Sequence, residues 1–272
     1  MKLTYTSILL AVIVFFSLPL TTSNVDAADF DHQQWNDLVS THVLMINQDS
    51  ASQVNYQGLS ANRSQLKNYL SNLAAIPLKT FNGWSHNAQL AFLLNAYNAW
   101  TVELILTQYP DIKSIKDLGS FFRSPWKKKF IPLLEKNRSL DDIEHNLIRG
   151  SDRYHEPRIH FAANCASIGC PALLTEAFEA DKLESQLDKA TRAFLRDRSR
   201  NRLKDGNLEV SSIFDWYKAD FEKGWRGLDD LPSFLASYHQ DLGLNQQQTQ
   251  ALIREDIEIE FLNYDWNLNR TP

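Results

Sequence analysis

Sulfur and imidazole are the groups in this sequence that could do covalent chemistry. The chain has two cysteines, Cys165 and Cys170, both in the stretch Pro157 to Leu173. A cysteine attacks as its thiolate, which forms more readily at a helix N-terminus or beside an imidazolium. His145 is the preferred base for Cys165. His160 is second, because strict strand alternation would put it on the opposite face from Cys165. Asp141 or Glu144 is spaced to fix the tautomer of His145. Asn95 or Asn98 would orient the imidazole or bind an oxyanion. The result would be a thiol-dependent hydrolase or acyl transferase.

The same cysteines support two other readings. As a disulfide, Cys165 and Cys170 would close a loop of about six residues, for which chain entropy gives roughly 2 kcal/mol. Neither sulfur would then be free to attack, and the protein would be a ligand- or peptide-binding one. Arg149, Trp216, Tyr217 and Trp266 would supply its contacts. As a metal set, His145, His160, Cys165 and Cys170 fit no zinc spacing, so neither metal nor cofactor is expected. The sequence contains no Gly-x-Gly-x-x-Gly and no Walker A loop.

The elements that must position these groups follow from periodicity. Ile159, Phe161 and Ala163 alternate with His160 and Ala162, predicting a strand over 158–163, a small-residue turn, and a helix opening at Pro171. Ser85 caps a helix over 86–109 that is apolar on every side and therefore buried. Asn95 and Asn98 lie on one of its faces. Ser139 caps a second helix over 140–149, with acids in its first turn. Amphipathic helices are expected over 30–45, 56–73, 181–201, 228–238 and 246–253. Strands are expected over 127–134, 208–212 and 257–262. The fold class is α+β: a single helix-rich domain, with a small antiparallel sheet packed on the buried central helix. That invites comparison with papain or transglutaminase layouts. In those the cysteine opens the core helix and the histidine comes later, the reverse of the order here.

The first residues read as a signal peptide. Lys2 supplies a positive charge, Ile8–Leu20 an apolar core, and Val25-Asp26-Ala27 a processing site, with cleavage expected after Ala27. Residues 1–27 are then the signal and 28–272 the domain, periplasmic or secreted, with no membrane attachment after cleavage. A net charge of −5 argues against nucleic acid as a partner. The partner is left as an undefined small molecule or peptide.

Six ordered blocks carry a family resemblance. They are Leu90 to Asn98, Ser139 to His145, Arg158 to Ala162, Asn164-Cys165 with Cys170-Pro171, Ile213 to Tyr217 with Asp220-Phe221, and Tyr264 to Asn269. Together they resemble the domain of unknown function 547 family, in a bacterial, exported form, across nearly all of the chain after residue 27. The resemblance implies that the family's pattern is written around Asn95, Asn98, His145, Arg149, His160 and Cys165, with Cys170 belonging to the bacterial form. It implies no established activity.

Overall fold

The computed structural model describes residues 29–120, 123–151 and 153–272, so the expected signal segment lies outside the described residues. Helix α1 (Gln33–His42) buries Trp35, Leu38 and Val39. It stops short of Met45, because Val43 begins a strand. The hairpin β1 (Val43–Ile46) and β2 (Ala51–Val54) pairs Val43 with Val54. Helices α2 (Tyr56–Ala61) and α3 (Arg63–Ala74) divide the expected 56–73 helix at Asn62. Helix α4 (Leu78–Asn82) leads into α5 (His86–Leu106), where the Ala88 N–H donates to Ser85 Oγ at 3.2 Å. Every residue of α5 from Ala88 to Leu106 is buried. The buried apolar side chains, from Trp35 to Leu268, make one contiguous cluster around it.

The hairpin β3 (Ile131–Leu133) and β4 (Lys136–Arg138) is followed by a π-helix, Asp142–Arg149. Its start is closed reciprocally: Ser139 Oγ accepts the Asp142 N–H, and Asp142 accepts the Ser139 N–H. Two expectations are then corrected. Residues 157–161 form a 3-10 helix, not a strand, with Pro157 in its first turn and the Glu156 carboxylate accepting the Arg158 N–H. Arg158 and His160 are buried along with Ile159 and Phe161, so the apparent alternation does not separate an inner from an outer face. No helix opens at Pro171; the chain is irregular up to α6 (Leu183–Arg196).

Strands β5 (Arg202–Lys204) and β6 (Asn207–Ser211) precede short helices α7 (Ile213–Trp216) and α8 (Lys218–Phe221). Helices α9 (Leu231–Ser237), α10 (His239–Leu242) and α11 (Gln246–Ile253) and strand β7 (Ile259–Leu262) complete the elements. The class is α+β as expected, but the strands among the described residues fall into three small sheets. Two are antiparallel hairpins, and in the third β7 joins β6 in parallel. Among the described residues no helix is long and apolar enough to cross a membrane.

The segment after β7 positions the site. It runs as an irregular ribbon between two distant parts of the chain. On one side the Val54 N–H donates to the Asn269 carbonyl at 2.8 Å. On the other, the N–H groups of Ile168 and Gly169 donate to the carbonyls of Asn267 and Asp265, each at 2.8 Å.

Candidate functional site

The cysteine loop is built from its backbone outward. The Asn98 amide accepts the Asn164 N–H at 2.8 Å and donates to the Ala162 carbonyl at 3.0 Å. Asn164 then closes the loop, accepting from Ala166 N–H and donating to the Pro171 carbonyl. The Arg200 guanidinium donates to the carbonyls of Ile168, Gly169 and Cys170. Within this frame Cys165 and Cys170 are joined as a disulfide. The bonded Cys165 carries neither a thiol proton nor a thiolate, which answers the choice the sequence left open about these two sulfurs.

Cys165 lies in the wall of a cleft of about 190 Å³. The same cleft is lined by Glu144, His145, His160, Trp216, Tyr217 and Trp266, all sequence-predicted, and by Tyr97, Ser124, Trp126, Asp141 and Tyr264, among others. Four rings form a continuous wall: Trp126 meets Trp266 edge-on at 5.6 Å, Trp266 stacks on Trp216 at 5.6 Å, and Tyr264 lies 4.4 Å from Trp266. Trp216 is exposed at the lip, with 46% of its surface free.

The π-helix and the residue before it supply the acidic part of the lining. Asp141, at the N-cap of that helix, and Glu144 and His145 on it line the cleft together. Glu144 is buried and faces the phenols of Tyr97 and Tyr217, both of which are pushed well up, by desolvation first and then by this carboxylate. Desolvation also raises Asp141, against the pull of His145. His145 Nδ1 lies 2.6 Å from Arg149 Nη1. A guanidinium can only donate, so Nδ1 accepts and Nε2 carries the proton of the neutral ring. That Nε2 is 3.8 Å from Asp141 Oδ1, too long for a hydrogen bond.

His160 is buried and stacked on Tyr217 at 3.8 Å, with Nε2 2.8 Å from Asp220 Oδ2. Burial lowers its pKa below the ordinary value although Asp220 opposes this, so it is neutral at pH 7. Burial works against ionisation of Asp220 as well. Hydrogen bonds from His160, Arg149 and Lys223 outweigh it and hold the carboxyl well below the usual range.

Three sequence-predicted residues stand elsewhere. Asn98 acts through the backbone of the cysteine loop, as described. Asn95 makes a two-way clamp on Phe178, donating to its carbonyl at 2.8 Å and accepting its N–H at 3.0 Å. Neither amide lines the cleft. Arg149 is spent on Asp220 and His145, with its guanidinium 4.8 Å over the Tyr217 ring. Sequence reasoning assigned no role to Tyr264 or Asp220, although both sit inside motif blocks, and it passed over Tyr97 and Trp126. Tyr97 lies on α5 between Asn95 and Asn98, and an aromatic there reads as core. Among the described residues no group of three or more His, Cys, Asp or Glu is placed to hold a metal ion.

Residues 81–195 match the family described as Protein of unknown function, DUF547. The match takes in α5, the π-helix and the cysteine loop, while the blocks at 213–221 and 264–269 fall beyond it. No curated protein and no solved structure matches the chain.

Proposed function

We propose that this chain, whose residues 81–195 match the DUF547 family, binds a small organic cation in the cleft beside Cys165. The observation that carries this is the lining itself: three tryptophans and two carboxylates, Asp141 and the tyrosine-flanked Glu144, and among the described lining residues no lysine or arginine. Ring faces attract a cation through their quadrupole, and a desolvated carboxylate gains most from a counter-charge. Two of these rings already carry cations: Lys116 Nζ sits 3.7 Å over Trp266, and Arg149 sits over Tyr217. Ligand pockets usually run to about 300–1,000 Å³. At about 190 Å³, this one suits an alkylamine, a quaternary ammonium or one basic side chain of a peptide.

Tryptophan fluorescence titration with tetramethylammonium, cadaverine and arginine, against neutral isosteres and monosaccharides, tests the reading. Saturable quenching by the cations alone, weakened about tenfold in Glu144→Gln, is the expected result. Binding of sugars alone, or of nothing, would end it. Export remains part of the proposal on the strength of Lys2, Ile8–Leu20 and Val25-Asp26-Ala27. N-terminal sequencing of the exported protein should then begin at Ala28.

A further inference from the structure

We propose that the Cys165–Cys170 bridge is a reactive centre for thiol–disulfide exchange with a small organic thiol, attacked at Cys165 from the cleft with Cys170 as the leaving sulfur. The two sulfurs are not equivalent. Cys165 is half-buried and forms part of the cleft wall, whereas Cys170 is only 3% exposed and stands behind it. Cys170 Sγ accepts two hydrogen bonds, from the Cys165 N–H at 2.9 Å and from the Tyr264 hydroxyl at 3.1 Å. That hydroxyl is also 3.1 Å from Cys165 Sγ. Neither bonded sulfur has a hydrogen, so the phenol is the donor to both. Desolvation pushes its pKa well above the ordinary value, which keeps the donating proton in place.

Donors aimed at a disulfide sulfur do little for the neutral bond. They do much more for the thiolate that appears when the bond breaks, because hydrogen bonds to charged acceptors are roughly twice as strong. A leaving thiol whose thiolate is stabilised leaves faster. The arrangement is also set in advance. Gly169 has no Cβ, and one placed there would come within 2.9 Å of three atoms of the Tyr264 ring. Glycine at this position is therefore what lets the ring lie against the loop. The Asp265 and Asn267 carbonyls hold the ring's own segment to that loop, and Arg200 holds the loop from behind.

The step balances as follows. A thiolate R–S⁻, its proton lost to solvent, attacks Cys165 Sγ. The new R–S–Sγ bond forms, the Cys165–Cys170 bond breaks, and the electron pair leaves on Cys170 Sγ. A second thiolate attacks the R sulfur, releasing R–S–S–R and freeing Cys165. Two thiols are oxidised to a disulfide, and the bridge is reduced to two cysteines that take up two protons. The cleft's volume admits a thiol of a few heavy atoms.

The test uses the full folded chain and 2-mercaptoethanol, without any cationic ligand, so its outcome is separate from that of the cation reading. Acid quenching, alkylation and peptide mass mapping should find the mercaptoethanol adduct on Cys165 and the first alkylatable thiol at Cys170. Tyr264→Phe keeps the ring and removes the donor; reduction by mercaptoethanol should slow about tenfold, at an unchanged melting temperature. An adduct on Cys170, a bridge that opens only in denaturant, or an unchanged rate in Tyr264→Phe would overturn the proposal. Should the variant fold poorly, the adduct map on the natural chain decides alone.

Discussion

Two helices each carry a pair of polar residues three positions apart, and the pairs meet opposite fates. Asn95 and Asn98 on α5 have both amide groups engaged by backbone, at Phe178 and at the Ala162–Asn164 segment. Asp141 and Glu144, on the turn leading into the π-helix and on the helix itself, line the cleft with no lysine or arginine among the described lining residues. The first pair is closed and cannot turn to a substrate without orphaning buried groups. The second pair is engaged by side chains only, Glu144 by the phenols of Tyr97 and Tyr217 and Asp141 by the nearby His145, and both carboxylates still face the cleft. A polar residue in an apolar helix is thus no guide to function until its hydrogen-bond partners are known.

Mutations should separate the pairs, and the largest effect belongs to the closed one. Asn98→Ala orphans the Asn164 N–H and the Ala162 carbonyl, at about 1–3 kcal/mol each, so chemical denaturation should show a loss of about 4 kcal/mol. Glu144→Gln should stay within about 1 kcal/mol of the natural chain. A reversal of that order would break the distinction. Next comes Asp220→Asn, which uncouples His160, Arg149 and Lys223 and should cost about 3 kcal/mol at pH 7.

The pH dependence sharpens the same point. His160 and Asp220 both have pKa values lowered by folding, so the unfolded chain binds more protons and stability is lost as the pH is lowered. The His160 share is complete above about 6.5, its unfolded value, and is lost below it; the Asp220 share fades only below about 4. Melting temperatures from pH 8 to 3 should decline in those two stages, with the lower one missing in Asp220→Asn. Gly169→Ala, which forces a methyl group against the Tyr264 ring, should cost about 2 kcal/mol. The smallest change is Lys116→Met. Freeing the outer face of Trp266 should strengthen cation binding a few-fold, worth about 0.5–1 kcal/mol, in the same fluorescence titration.

Much of the frame could be read from periodicity and caps. The helix opened by Ser85 is apolar on all sides and is buried on all sides, and Ser139 does cap the turn that carries His145. The misreadings share one cause: local pattern was taken for local structure where long-range partners decide. The 157–163 segment alternates, yet Arg158 is fully buried between Glu156 and the distant Glu184, which fixes a 3-10 turn instead of a strand. Pro171 suits a helix start, but the Asn164 side chain holds its carbonyl and no helix follows. The cleft residues were legible where reactive or aromatic side chains clustered near each other, as with Trp216 and Tyr217. Tyr264 was not, because its role depends on a contact with residues about a hundred positions earlier.

The ribbon after β7 has a thermodynamic corollary. Trp266 contributes its ring to the cleft, while Asp265 and Asn267, on either side of it, receive the N–H groups of Gly169 and Ile168. One short stretch of backbone therefore reports to both the occupant and the sulfur bridge. Linkage makes the traffic symmetric: by whatever factor opening the bridge alters affinity for an occupant, that occupant must alter the equilibrium of bridge opening by the same factor.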